Sequence, residues 1–165
     1  MAEALTIRPV APGDLAAAGA IYNHYVLNSV CTFAEQPEDG AYWQDWLAEH
    51  RGPHPAIVAV RDGGIVGWGT LSPWNVRCAY RHSVEDSVYV AHEHLGQGIG
   101  RALLGELIDL ARRCGHRNVI AQIADHQAAS EALHRRFGFE PVGCLLGVGF
   151  KFYRWIDVAI WQLKL

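Results

Sequence analysis

Hydrophobic positions recur with two different periods along the chain, and these periods predict both helices and strands. A period close to 3.6 from Ile99 to Ala111 predicts an amphipathic helix with one apolar face. The β-branched and aromatic run Val88–Val90 predicts the end of a strand just before it. The chain therefore places a strand, a short glycine-rich loop and a long helix in direct succession.

The other elements follow from the same periods and from turn residues, of which Asp62-Gly63-Gly64 is a strong hairpin signal. In chain order we predict a strand at Leu5–Val10, a helix from Pro12 to Tyr25, a helix capped by Asp39, strands at Ala56–Val60 and Ile65–Leu71, the strand ending at Val90, the helix from Ile99, a strand at Val119–Ala124, a helix near Ala128–Phe137, and two strands within Pro141–Leu165. This order predicts an α/β fold with a mixed sheet, built from antiparallel hairpins around one central βαβ unit. We expect one domain over 1–165.

Composition narrows the class of protein. The chain has 165 residues, of which 50% are hydrophobic and 19% charged, enough to bury a core. A net charge of −3 without a basic run argues against binding to nucleic acid. No apolar run reaches the roughly 20 residues that span a bilayer, so no membrane association is expected. Four scattered cysteines, no C-x-x-C and no secretory signal predict a reduced, cytoplasmic protein.

Three glycines, Gly96, Gly98 and Gly100, connect the central strand to the helix. Glycine lets backbone N–H groups turn towards a ligand, and the helix N-terminus adds the positive end of a dipole. Together with Arg101 in the first turn, these groups predict a site for an anion such as phosphate. The spacing is neither a dinucleotide fingerprint nor a P-loop, and a merely flexible turn is the alternative.

The stretch Gly96–Leu104 resembles the coenzyme A pyrophosphate loop of the GNAT superfamily of N-acetyltransferases, whose pattern is Arg/Gln-x-x-Gly-x-Gly/Ala. Gly98 and Gly100 match its glycine positions, whereas Leu95 replaces the leading basic or amide side chain. Within the superfamily, the chain is most similar to the phosphinothricin and methionine-sulfoximine N-acetyltransferases. The similar stretches are Ile21–Val26, Thr32–Pro37, Pro73–Val90, Ala132–Gly143 and Gly149–Gln162. The resemblance implies a GNAT fold, acetyl-CoA as cosubstrate, and acetyl transfer to the α-amine of a small amino acid or analogue.

The resemblance assigns two residues to the chemistry. Glu85 stands where this family has its proposed base, and a base is needed because an ammonium cannot attack a thioester. His134 stands where many superfamily members have a tyrosine that protonates the departing thiolate, and imidazole titrates near neutrality. The alternatives are a solvated strand residue and a packing histidine. Asp86 is expected on the opposite face of the strand from Glu85, without a catalytic role.

The resemblance also implies the two binding sites. Arg77 is expected to hold a substrate carboxylate through two parallel hydrogen bonds, although a solvated surface arginine is the alternative. The implied amino-acid contacts are Phe33, Asn75, Val76, Arg77, Tyr80, Glu85, Asp86 and Ser87. The implied coenzyme contacts are Val88, Tyr89, Val90, Gly96, Gln97, Gly98, Ile99, Gly100, Arg101 and Gln127. Gln127 takes the place of an asparagine that is common in the superfamily.

Further expectations concern specificity, partners and metals. Tyr153 replaces a glycine of the close relatives and is expected to reshape the acceptor site. These relatives are homodimers, and the strand Trp155–Leu163 could supply the contact or equally be a buried sheet strand. No metal site is expected, since the His92-x-His94 pair has no further carboxylate or thiolate partners in a metal-binding pattern in the sequence. A protein N-terminal acetyltransferase and a non-catalytic acyl-CoA-binding module are the alternative functions.

Overall fold

The structure, a computed structural model, describes residues 4–165. Its strands are β1 (Thr6–Pro9), β2 (Ala56–Arg61), β3 (Gly64–Pro73), β4 (Ser83–Val90), β5 (Asn118–Ala124), β6 (Glu140–Lys151) and β7 (Arg154–Lys164). Its α-helices are α1 (Leu15–Asn28), α2 (Gly40–Glu49), α3 (Ile99–Arg113) and α4 (Ala128–Arg136). Strands and helices follow one another in the predicted order.

The described strands form one mixed sheet in the order β1-β2-β3-β4-β5-β7-β6. Among these strands only β4 and β5 pair in parallel, connected by α3, while the other neighbours are antiparallel. The predicted hairpin joins β2 and β3, with Asp62 and Gly63 at φ of +50° and +76°. Two left-handed residues give a tight turn whose twist matches the strands. The predicted α/β class with a central βαβ unit is confirmed.

Helices cover both faces of the sheet. The apolar face of α3 buries Ile99, Leu103 and Leu107 against the central strands. On the other face, α1 and α2 enclose a tryptophan cluster in which Trp43 contacts Trp68 edge-on. Burying these surfaces is the main source of stability, at roughly 25 cal/mol per Å² of apolar area. The layers leave the ends of β4 and β5 as the place where a ligand can approach the sheet.

Strand β7 lies inside the sheet, between β5 and β6. Ile156, Val158 and Trp161 are buried there, so of the two alternatives for Trp155–Leu163 the structure has the buried sheet strand. The sheet instead ends at β6, which exposes apolar side chains along its length. Within 4–165 no helix is both long and apolar enough to cross a membrane.

Candidate active site

The candidate site is a gap in the sheet between β4 and β5. Their parallel pairing covers Ser83–Glu85 with Asn118–Ile120, and the strands part beyond it. A cavity of about 670 Å³ occupies the gap and is lined by both strands. Because successive side chains of a strand point to opposite faces, the cavity reaches both sides of the sheet, with Glu85 on one and Asp86 on the other.

A glycine turn closes one end of this cavity. Gly96 and Gly98 have φ of +74° and +81°, where a side chain would strain the backbone. Gly98 caps α3 without a side-chain hydrogen bond, and the N–H of Ala102 donates to its carbonyl at 3.1 Å. The N–H groups before Ala102 have no acceptor within the helix, so this end of α3 suits a phosphate. The cavity is lined here by Gly96, Gly98, Ile99, Gly100 and Arg101.

The other predicted coenzyme contacts divide into two groups. Val88–Val90 and Gln127 line the cavity. Gln97 lies outside the lining, because its exposed side chain is turned away and its amide oxygen accepts a hydrogen bond from Arg61 Nη1 at 2.5 Å. A contact through Gln97 would therefore have to use its backbone.

Glu85 is half-buried at the end of the gap where β4 and β5 still pair. Its Oε2 accepts a hydrogen bond from Gln122 Nε2 at 2.9 Å. Burial raises the pKa of Glu85, and the neighbouring charge of Asp86 acts in the same direction, while the hydrogen bond from Gln122 opposes them. A carboxylate with a raised pKa is a stronger base than an exposed one, which suits proton abstraction from an amine.

His134 and Asp86 form a buried pair on the opposite face. His134 Nε2 lies 3.0 Å from Asp86 Oδ2, and its Nδ1 lies 2.8 Å from the carbonyl oxygen of Ser130. Burial lowers the pKa of His134, but the hydrogen bond and charge of Asp86 and the Ser130 carbonyl outweigh it, so the pKa is raised. Both ring nitrogens face acceptors, an arrangement that favours the imidazolium. The pair lines the cavity, and Asp86 Oδ1 is buried there with no hydrogen-bond partner among the described residues.

The expectation that Asp86 faces away from Glu85 is confirmed, since its carboxylate reaches α4. Three of the predicted acceptor contacts line the cavity: Glu85, Asp86 and Ser87. Five other predicted contacts do not line it: Phe33, Asn75, Val76, Arg77 and Tyr80. Four of them belong to an exposed loop between β3 and β4, in which the N–H of Arg77 donates to Asn75 Oδ1. Their contacts with an acceptor stay predictions.

Phe33 belongs to a segment that a buried lysine holds in place. Lys151 of β6 is 3% exposed and donates from Nζ to the carbonyl oxygens of Ser29 and Thr32, both at 2.8 Å. Two charge-assisted hydrogen bonds attach the α1–α2 connection to the β6–β7 hairpin. The same connection brings Cys31 to the cavity wall.

Sequence reasoning missed several residues of the cavity. Gln122 gave one signal, as a polar side chain in the otherwise apolar run from Val119 to Ala124. Tyr25, whose hydroxyl donates to the carbonyl of Val90 at 2.5 Å, is predicted only as the last residue of the first helix. Both residues lie far in sequence from β4 and the glycine turn, so only the folded sheet brings them to the site.

Comparison with known sequences identifies the family. The Acetyltransferase (GNAT) family profile matches residues 20–139. The L-methionine sulfoximine/L-methionine sulfone acetyltransferase of Salmonella typhimurium is 38% identical over 162 residues, which are 98% of this chain and 95% of that protein. A phosphinothricin N-acetyltransferase of Alcaligenes faecalis is 40% identical over 164 residues, which are 98% of this chain and 83% of the relative.

Solved structures agree with these relatives. An acetyltransferase from Salmonella typhimurium with its cofactor acetyl-CoA superposes with a TM-score of 0.95 at 37% identity, covering 99% of this chain and 95% of that one. A ribosomal-protein-alanine N-acetyltransferase from Brucella melitensis has a TM-score of 0.95 at 43% identity, covering 97% and 99% of the two chains. Acetyl-CoA, the cosubstrate expected from the sequence, is thus the cofactor of a protein with the same fold, and the predicted enzyme class is confirmed. The chain belongs to the GNAT family of acetyltransferases.

Proposed function

We propose that the protein transfers the acetyl group of acetyl-CoA to the α-amine of a small amino acid or analogue, of the phosphinothricin, methionine sulfoximine or methionine sulfone type. The observation that carries this proposal is the through-sheet gap, which has the N-terminus of α3 on one side and the half-buried carboxylate of Glu85 on the other. The relatives from Salmonella and Alcaligenes, which are named for activities of this type, support the same acceptor class.

The coenzyme is held by backbone groups. Its diphosphate lies against the free N–H groups at the start of α3, with Arg101 beside them. Its pantetheine arm follows Val88–Val90, where β4 no longer pairs with β5 and can offer backbone hydrogen bonds. Gln127 at the start of α4 adds an amide to the same wall. With the coenzyme held in this way, the thioester lies near the point where the two strands part.

The reaction proceeds by direct attack of the amine. Glu85 accepts a proton from the substrate ammonium, directly or through a water, and the neutral nitrogen forms a bond to the acetyl carbon. The nitrogen gives up its second proton to solvent as the carbon–sulfur bond breaks, and the thiolate takes the proton carried by the His134 imidazolium. The raised pKa of Glu85 and the Asp86 carboxylate beside His134 support these two roles. Holding both reactants in one gap supplies much of the acceleration.

The acceptor is positioned by its carboxylate and side chain. Arg77 lies in the loop that leads into β4, and the N–H of Trp74 donates to the Ser83 carbonyl at 3.2 Å, which fixes the base of that loop. Because Arg77 is exposed, its guanidinium can engage a free carboxylate that arrives from solvent. Tyr153 is 98% exposed at the turn between β6 and β7, so it can shape an acceptor site only from its rim.

Two copies of the chain are proposed to associate through β6. This edge strand and the following turn expose seven large apolar side chains: Val142, Leu145, Leu146, Val148, Phe150, Phe152 and Tyr153. Trp155, 70% exposed at the start of β7, extends the same surface. Edge strands with exposed apolar residues pair readily with another chain.

The free thiols of all four cysteines support a reducing, cytoplasmic location for the protein.

A protein N-terminal acetyltransferase is the second candidate, favoured by the likeness to the Brucella protein. The test is a panel of free amino acids and analogues, their carboxamides, and short peptides, with thiol release from acetyl-CoA as the readout. The proposal expects turnover with free amino acids that falls on amidation, and a further loss of about 10²–10⁴-fold in kcat/KM for Glu85→Gln. Peptides as the better acceptors would establish the second candidate, and no thiol release with any amine would leave a binding module.

A further inference from the structure

A cluster of three metal-binding side chains lies outside the proposed active site. His126 follows β5, Cys144 lies on β6 and Asp157 on β7, and one ligand atom from each lies within 4.8 Å of the other two. Cys144 Sγ and His126 Nε2 are 3.9 Å apart. We propose that these residues form a binding site for a zinc-like divalent cation.

The geometry suits a tetrahedral ion. Metal–ligand bonds of about 2.0–2.3 Å at tetrahedral angles place ligand atoms roughly 3.3–3.7 Å apart. The His126–Cys144 separation of 3.9 Å therefore needs only a small side-chain movement to close on an ion. Three protein ligands leave the fourth position for water or an exogenous ligand.

Asp157 is hydrogen-bonded to the backbone near each of the other two ligands. Its Oδ1 accepts a hydrogen bond from the N–H of Gly147 at 2.7 Å, which fixes the irregular part of β6 next to Cys144. Its carbonyl oxygen accepts from the N–H of Asp125 at 2.8 Å, which fixes the residue before His126. These two hydrogen bonds tie the segments that carry Cys144 and His126 to β7.

An acidic side chain orients the histidine. Glu131 Oε1 lies 3.3 Å from His126 Nδ1, on the far side of the ring from the ligand nitrogen. A carboxylate there keeps the proton on Nδ1 and leaves the lone pair of Nε2 for a metal, as at many zinc sites. Asp125, a neighbouring carboxylate, is engaged by Arg154 through two hydrogen bonds and is not a free competitor.

The donor types select the class of ion. A thiolate and an imidazole prefer zinc and similar transition metals, whereas calcium and magnesium prefer oxygen ligands alone. Binding releases the thiol proton of Cys144 as the sulfur–metal bond forms. The ligands are separated by 18 and 13 positions in the sequence, which is why no short motif predicts the site.

The test is calorimetric titration of the purified, tag-free protein with Zn²⁺, together with absorption spectra of the Co²⁺-loaded protein. We expect one saturable site and a near-ultraviolet sulfur-to-cobalt charge-transfer band. Cys144→Ser should abolish the band, and Asp157→Asn, which keeps an acceptor for Gly147, should weaken Zn²⁺ binding. Glu131→Leu should weaken it by about 10–100-fold, the usual cost of losing an outer partner.

Two matched controls separate this site from other donors. Cys78→Ser removes another exposed thiol, and His92→Gln removes one ring of the stacked His24–His92 pair. Neither substitution should change the affinity for Zn²⁺ or the cobalt charge-transfer band. Melting temperatures measured without metal establish that each variant is folded. Absence of saturable Zn²⁺ binding, or a cobalt band that persists in Cys144→Ser, would overturn the proposal, and neither readout depends on acetyl transfer.

Discussion

The ring of Phe33 lies against Gly149, in the space that a β-carbon on Gly149 would occupy. This contact joins the α1–α2 connection to β6, beside the hydrogen bonds from Lys151. Phe33 can adopt its position only because residue 149 has no side chain. The placement of a predicted acceptor contact therefore depends on a glycine in a distant strand.

Gly149→Ala should displace Phe33, raise the KM for the acceptor and lower the free energy of unfolding by about 1–3 kcal/mol, the usual cost of overpacking. Gly143→Ala is the matched control on the same strand, because a β-carbon added there would have no atom of the described residues within 4 Å apart from its two chain neighbours. Chemical unfolding and acceptor kinetics measure both effects. In a Phe33→Ala background the Gly149→Ala cost should vanish, and an equal cost there would contradict the steric explanation.

Gln122→Leu should move the acidic limb of the kcat/KM profile to higher pH. The hydrogen bond from Gln122 lowers the pKa of Glu85 against the effect of burial, so its removal leaves the carboxyl with a still higher pKa. In its proposed role as base, Glu85 acts only when deprotonated, and activity should therefore rise with pH later in the variant than in the wild type. Gln44→Leu, on the exposed side of α2, should leave the profile in place. If Gln122→Leu left the acidic limb of the kcat/KM profile unchanged, the group that titrates there would not be Glu85.

Asp86→Asn should lower the pKa of His134. The substitution removes the negative charge that raises this pKa, so burial, which lowers it, has the larger effect. Since the wild-type pKa is raised on folding, the pair contributes stability in full below the unfolded value of about 6.5 and loses it as pH rises through the folded value. Titration of the His134 ring by NMR measures the shift. The stability difference between wild type and Asp86→Asn should be larger at acidic than at alkaline pH, and the reverse order would contradict the ion pair.

Cys31→Ala should retain turnover, although the thiol lines the cavity. Burial raises the pKa of Cys31, so the thiol stays protonated near neutral pH and is a poor nucleophile. Steady-state kinetics of the variant distinguish direct attack from an acetyl-cysteine intermediate, for which the substitution would abolish transfer. Trapping of a labelled acetyl group on Cys31 would rule out the direct route.

The order of elements could be predicted because it depends on local signals. Asp62-Gly63, the cap at Asp39 and the glycines before Ile99 each act within a few residues. The pairing of Asp86 with His134 could not, since 48 positions separate them and only the packing of α4 on β5, the neighbour of β4, brings them together. Periodicity could place Asp86 on a face of the strand, but not identify what that face contacts. The exposure of Arg77 likewise depends on where its loop leaves the sheet.

The divergence of β4 from β5 has a kinetic consequence. An opening that passes from one face of the sheet to the other lets donor and acceptor arrive from opposite directions, so neither blocks the entrance of the other. Under the proposed direct attack, both reactants must be bound together before any bond changes, and plots of reciprocal rate against reciprocal concentration should intersect rather than run parallel.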